Sequence, residues 1–79
     1  MDKNEVITKV YGIVAGVCET TPDKIDGNTA IGDFPRWDSV GQLTILNKVE
    51  EAFDINFEPE EMMDIEDVND IVEAVAAKL

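Results

Sequence analysis

Residues 37–43 read WDSVGQL and begin the segment around which the rest of the chain is organised. Apolar residues then recur at the three- and four-residue spacing of an amphipathic helix. They are Val40, Leu43, Leu46, Val49 and Phe53. Asp38 lies two residues before the first of them, where its carboxylate can accept hydrogen bonds from the unpaired amides of a first helical turn. The pattern predicts a helix from about Ser39 to Phe53, capped by Asp38.

Ser39 would lie on the first turn of this helix, near the positive end of the helix dipole. A phosphate ester on its hydroxyl would meet unpaired backbone amides and a favourable electric field. A serine nucleophile needs a neighbouring base, and the chain has no histidine and no Gly-x-Ser-x-Gly turn. We therefore expect Ser39 to accept a group that another protein transfers, and we expect the chain to be non-catalytic.

The composition is that of one small, strongly acidic domain. The chain has 79 residues, near the lower limit for a self-supporting hydrophobic core, and 44% of them are apolar. Lys plus Arg number 6 against 18 Asp plus Glu, which gives a formal net charge of −12. This charge disfavours nucleic acid and anionic membranes as partners and favours proteins with basic surfaces.

Cysteine and histidine usage excludes several kinds of site. Cys18 is the only cysteine, so no internal disulfide can form, and its apolar surroundings predict a buried thiol. Without histidine or a cysteine cluster, we expect no zinc site. The acidic residues after position 57 suit helix starts better than a metal site. We see no signal peptide and no apolar run long enough to cross a bilayer, so the default expectation is a cytoplasmic protein without membrane insertion.

The remaining elements follow from apolar spacing and turn residues. We expect a first helix from about Lys3 to Cys18, begun by Asp2 or Asn4, in which Gly12 and Gly16 could let a neighbouring helix approach closely. A long loop over 19–37 should be pinned to the core by its own apolar residues, with one helical turn at 22–25. Thr21 is expected to cap that turn.

Two further helix starts lie in the last third of the chain. Pro59 and its acidic neighbours begin a short helix. Asp64 can then cap a last helix from about Ile65 to Lys78, with Asp67 near its third position. The predicted fold is all-α: a small bundle of three main helices plus one short helix, with a long loop after the first.

The triplet Asp38-Ser39-Val40 resembles the Asp-Ser-Leu attachment motif of acyl carrier proteins. The helix that follows matches that family's second helix, and residues 50–55 (EEAFDI) match the segment in which that helix ends. The similarity continues without an evident gap over 25–75. It implies one acyl carrier domain over 1–79, with 4′-phosphopantetheine from coenzyme A attached to Ser39 by a phosphopantetheinyl transferase. The terminal thiol would carry acyl or aminoacyl thioesters for fatty-acid, polyketide or related biosynthesis.

The resemblance also implies an acyl pocket between the helices. The matching positions are Ile45, Leu46, Val49, Phe57, Met62, Ile65, Ile71 and Val75. Every one of them could equally be ordinary core. Because Phe57 and Met62 are bulky, we expect the cavity to be small or adaptable.

Docking of acyl-loading and acyl-using enzymes with basic surfaces is implied at Asp33, Val40, Glu50 and Glu51. The early half of the second helix departs from the family's acidic pattern at Gln42, Thr44, Asn47 and Lys48. Trp37 is a further departure from the family's usual sequence. It indicates either a carrier from a specialised pathway or, as a purely structural role, an aromatic ring that closes the loop over the start of the helix.

We expect a monomer. The alternative function is an unmodified acidic helical adaptor that binds a basic partner protein.

Overall fold

The computed structural model describes residues 2–79. Its helices are α1 (Lys3–Cys18), α2 (Ser39–Phe53), α3 (Pro59–Asp64) and α4 (Val68–Lys78), and a short 3₁₀ turn (Pro22–Lys24) interrupts the loop after α1. The described residues form no β-strand, only one isolated bridge. The predicted all-α bundle of three longer helices and one short helix is confirmed.

Helix α1 packs its apolar face against α2 and α4. Asp2 caps it, since its Oδ1 accepts from the amide of Asn4 at 2.7 Å. Gly12 and Gly16 are exposed, and a Cβ atom at either position would have nothing within 4 Å. The expectation that these glycines admit a close neighbouring helix is therefore wrong. Cys18 at the end of α1 is buried, and burial raises the pKa of its thiol.

The loop between α1 and α2 is pinned to the core, with Ile25, Thr29 and Trp37 buried. The side chain of Thr21 does not cap the 3₁₀ turn as predicted. Its hydroxyl donates instead to the nearby carboxylate of Asp23, and this side-chain hydrogen bond takes the place of the predicted cap.

The start of α4 differs from the sequence prediction of Ile65 with Asp64 as its cap. The helix begins at Val68, and Asp67 is the cap, accepting from the amide of Asp70 at 2.8 Å. The segment just before it is held extended by backbone pairing with the loop after α1. Its bonds are Ile31 N to Glu66 O at 3.1 Å and Val68 N to Thr29 O at 3.0 Å, around a bridge between Ala30 and Asp67. These long-range bonds take the place of a first helical turn.

The core is one continuous cluster filled from α1, α2, α4 and the loops. Its fully buried large side chains are Trp37, Ile45, Leu46, Ile71, Val6, Val10, Val14, Val49, Val68 and Val75. Within residues 2–79, every helix is too short or too polar to cross a membrane.

Candidate functional site

Ser39 is the first residue of α2, and it is exposed. Asp38 caps the helix: its Oδ1 accepts from the amide of Gly41 at 2.8 Å, and its carbonyl oxygen accepts from the amide of Gln42 at 2.8 Å. Across the described residues, no hydrogen-bond acceptor is found for the amides of Ser39 and Val40. These two donors, together with the helix dipole, favour an anion beside the Ser39 hydroxyl.

Gly41 allows the preceding loop to lie directly against the first turn of α2. A Cβ atom at this position would overlap the carbonyl oxygen of Arg36. The loop is further closed by the amide of Gly32, which donates to the carbonyl oxygen of Trp37 at 2.8 Å, with φ of +94° at the glycine. Ser39 is thus presented on a helix start that its own loop holds in place.

Trp37 and Gln42 form a buried polar connection under the site. Trp37 is 0% exposed, and its Nε1 donates to Gln42 Oε1 at 2.6 Å. Gln42 Nε2 in turn donates to the carbonyl oxygen of Ile65 at 2.9 Å. The pair therefore joins the loop, α2 and the segment before α4. Sequence reasoning treated Gln42 only as a departure from the family's acidic pattern on α2; the available signal was that a buried indole N–H requires an acceptor.

Two apolar residues beside Ser39 lie outside the core. Val40 is 72% exposed and Leu43 is 54% exposed, although both belong to the periodic run that predicted α2. The buried face of α2 instead includes Gly41 and Gln42. An exposed apolar pair next to an exposed hydroxyl offers a contact surface for another protein.

The acidic residues expected to dock partners differ in exposure and in whether their carboxylates already accept hydrogen bonds. Glu51 is exposed. Asp33 is exposed as well, but its Oδ2 accepts from the amide of Ala30 at 2.9 Å. Glu50 is half-buried, and its Oε2 accepts from the amide of Phe57 at 2.8 Å. Asp33 and Glu50 therefore also hold loop backbone in place.

The residues expected to form an acyl pocket pack together in the protein interior. Seven are buried, namely Ile45, Leu46, Val49, Phe57, Ile65, Ile71 and Val75, and Met62 is half-buried against them. A chain could enter among them only by displacing side chains.

Several carboxylates after position 57 accept backbone hydrogen bonds at helix starts. Glu61 Oε1 accepts from the amide of Glu58 at 2.9 Å and from Lys78 Nζ at 2.8 Å. The hydrogen bond from Lys78, and after it the bond from the Glu58 amide, hold the pKa of Glu61 below its usual range. In the described part of the chain, no three or more Cys, Asp or Glu side chains are grouped so that they could hold a metal ion.

Comparison with known proteins shows the family to which the chain belongs. The sequence profile of the family described as phosphopantetheine attachment site matches residues 8–75, most of the chain. A search of curated proteins found no match. The exposed hydroxyl and free amides at the start of α2 suit a covalently attached phosphate ester. The chain therefore belongs to the family of phosphopantetheine-carrying proteins typified by acyl carrier proteins, whose members bind 4′-phosphopantetheine covalently.

Proposed function

We propose that Ser39 receives the 4′-phosphopantetheine group and that the chain carries acyl or aminoacyl groups as thioesters on its terminal thiol. The observation that supports this most is that Ser39 is the only serine in the chain and is also the exposed first residue of α2. The neighbouring amides would bind the phosphodiester, and the capped helix start would fix the point from which the arm swings.

The cargo would pass between partner enzymes of fatty-acid, polyketide or related biosynthesis, and the chain itself would not catalyse the chemistry. A phosphopantetheinyl transferase would supply the arm from coenzyme A. Partners would meet the exposed apolar side chain of Val40 and the acidic residues Asp33, Glu50 and Glu51 with a basic surface. The net charge of −12 would speed such encounters more than it would tighten the complexes. A cytoplasmic location and a monomeric state stay predictions.

The test is the intact mass of the purified apo protein after incubation with coenzyme A, magnesium and a phosphopantetheinyl transferase of broad specificity. We expect the mass to rise by one phosphopantetheine group in the wild type and to stay unchanged in Ser39→Ala. Thr44→Ala is the matched control, because it removes a hydroxyl from the same helix and should be modified normally.

Two results would contradict the proposal. One is a mass gain that survives in Ser39→Ala. The other is a correctly folded wild-type protein that no such transferase modifies, which would favour the acidic adaptor. Circular dichroism of each variant establishes that the fold is intact before the masses are compared.

A further inference from the structure

An open groove lies between α1 and α2, on the side of α2 that faces away from Ser39. Its volume is about 540 Å³. Its lining residues are Lys9, Gly12, Ile13, Gly16 and Val17 from α1, and Lys48 and Ala52 from α2. Ser39 and Lys48 are separated by about two and a half helical turns, so they lie on opposite sides of α2. A molecule bound in this groove would therefore leave the Ser39 site uncovered.

The space in the groove exists because two positions of α1 carry no side chain. A Cβ atom at Gly12 or Gly16 would have nothing within 4 Å, so no helix of this chain uses the room that the glycines leave. Glycine weakens a helix relative to alanine, and packing within the chain gives no compensation at these two positions. An outside helix, however, could come close to α1 there, because the distance between packed helices depends on the side chains at the contact.

The groove also carries two of the chain's few cations. Among residues 2–79, the cations that form ion pairs are Lys3, Arg36 and Lys78. Lys9 on α1 and Lys48 on α2 line opposite walls of the groove and form none. Lys9 Nζ lies 5.7 Å from the centre of the Phe53 ring, a contact that leaves its positive charge without a counter-ion. No carboxylate of the described residues lines the groove, so it is a locally basic surface on a chain of net charge −12.

The local charge of the groove favours an acidic occupant. Other depressions on the molecule have the opposite character: one is lined by Glu61, Asp64, Asp70 and Glu73, and another by Glu50, Glu51 and Asp54. At about 0.15 M salt, exposed charges more than about 8 Å apart are largely screened from each other. An occupant of the groove would therefore respond mainly to Lys9 and Lys48, and carboxylates would complement both.

We propose that the groove between α1 and α2 docks an acidic amphipathic helix of a partner protein. The docked helix would place small apolar side chains against Gly12, Gly16 and Ala52, and a carboxylate on each of its flanks would meet Lys9 and Lys48. A second copy of this chain is disfavoured as the occupant, because two molecules of net charge −12 repel each other.

The size of the groove sets the strength of this contact. From Lys9 to Gly16 it follows α1 for about 10 Å, which is about two turns of a docked helix. Such a short contact belongs to the small, transient class of protein interfaces. The chain would be held reversibly by this surface while Ser39, on the opposite side of α2, stays accessible to a different protein.

The test titrates isotopically labelled apo protein with a synthetic alanine-rich helix of about 20 residues, long enough to be helical, whose leucine stripe is flanked by glutamates on both sides. At about 0.15 M sodium chloride, we expect backbone amide resonances to shift at Gly12, Gly16 and Ala52 and to stay unchanged at Ser39 and Val40. The same peptide with lysine in place of every glutamate should not produce these shifts.

Matched variants separate local from general charge. Lys48→Glu should weaken binding about fivefold, because it replaces an exposed attraction by a repulsion of similar size. Lys24→Glu changes the net charge by the same amount but lies in the 3₁₀ turn outside the groove, so binding should stay within about twofold. Gly16→Leu fills free space at an exposed position, so the protein should fold while the shift at Gly12 disappears. Ala76→Leu, an exposed change on α4, should leave that shift unchanged.

Several results would overturn the inference. They are an acidic peptide that shifts neither Gly12 nor Gly16, equal shifts with the lysine peptide, and equal weakening by Lys48→Glu and Lys24→Glu. Shifts at the two glycines that grow with protein concentration alone would assign the groove to a second copy instead. A stronger response to decanoate than to the peptide would assign it to a small amphiphile. Because the test uses apo protein, its outcome is independent of whether Ser39 accepts phosphopantetheine.

Discussion

At the scale of single residues, the site depends on two buried contacts beneath an exposed serine. The first joins Trp37, Gln42 and the carbonyl oxygen of Ile65 through two hydrogen bonds. The second is the close approach of Gly41 to Arg36. Neither touches the group that the site would carry, but both determine where the start of α2 lies.

Replacing Gln42 by methionine keeps the volume and removes both hydrogen bonds. The indole N–H of Trp37 and the carbonyl oxygen of Ile65 would then be buried without partners. At about 1–3 kcal/mol for each unsatisfied group, we expect a loss of about 2–6 kcal/mol in the free energy of unfolding, measured with urea. Asn47→Met, on the exposed face of α2, should change it by less than about 0.5 kcal/mol. Equal stability of the two variants would show that the buried bonds contribute little.

The same substitution should have opposite effects at two glycines. Gly41→Ala would push the loop away from the first turn of α2 and cost about 1–3 kcal/mol. Gly12→Ala meets no atom and favours the helix, so it should stabilise the protein by about 0.5–1 kcal/mol. Thermal unfolding followed by circular dichroism measures both. A stabilised Gly41→Ala variant would mean that the carbonyl oxygen of Arg36 moves aside easily.

At the scale of elements, the order and bounds of α1 and α2 could be predicted because apolar spacing and cap residues agree there. The start of α4 could not. The apolar spacing of Ile65, Val68 and Ile71 continues through the boundary, whereas the bonds that hold the preceding segment extended come from Thr29 and Ile31, far away in sequence. Local pattern carries no information about such long-range pairing.

The position of the α4 cap can be tested with a matched pair. Asp67→Ala removes the carboxylate that accepts from Asp70 N and should cost about 1 kcal/mol in the free energy of unfolding. Asp64→Ala lies at the end of α3 and should change it by less than about 0.5 kcal/mol. Urea unfolding of both variants decides between the two caps. The reverse order of effects would restore Asp64 as the cap and move the helix start back to Ile65.

The contact between α3 and α4 through Glu61 and Lys78 should depend on pH. The hydrogen bond from Lys78 lowers the pKa of Glu61 in the folded protein below that of the unfolded chain, roughly 4.3. Its stabilising contribution is therefore present above that pH and is lost as pH falls through the lowered value. We expect the wild type to exceed Glu61→Gln in melting temperature at neutral pH, with the difference shrinking toward about pH 3.

Glu60→Gln is the control for this measurement, because Glu60 is an exposed neighbour on the same short helix. It should show no comparable pH-dependent difference from the wild type. A difference between the wild type and Glu61→Gln that stays constant from pH 7 to about pH 3 would rule out the Glu61 carboxylate as its source.

At the scale of the whole molecule, charge is the dominant feature. The Cα radius of gyration is 11.2 Å, so at low salt the carboxylates act on one another across the entire protein. Raising sodium chloride from about 0.01 M to about 0.15 M shortens the screening length from about 30 Å to about 8 Å. We expect the melting temperature to rise by about 4–8 °C, equivalent to about 1 kcal/mol. Phosphopantetheinyl transfer should slow over the same range if attraction steers the encounter.

A melting temperature that falls or stays constant with added salt would show that local ion pairs outweigh the general repulsion. Glu51→Gln is a useful comparison, since it removes one exposed charge without breaking any bond that we observe. Its melting temperature should respond less steeply to salt than that of the wild type.

The candidate site could be predicted from sequence more fully at its surface than beneath it. Asp38 and Ser39 are local features of a helix start, so the chain alone indicates them. The burial of Gln42 and the exposure of Leu43 depend on how α2 is rotated against α1 and α4. The same rotation brings Lys48 beside the glycines of α1. Rotation about a helix axis is set by packing, and composition and spacing do not fix it.

Cys18 is the chain's only sulfhydryl, and it is enclosed at the end of α1 with a raised pKa. Little of it would be present as the nucleophilic thiolate at neutral pH. A maleimide dye added to the modified protein should therefore label the prosthetic arm alone. The unmodified protein then serves as its own blank, and the arm can carry a fluorophore without any cysteine having to be engineered away.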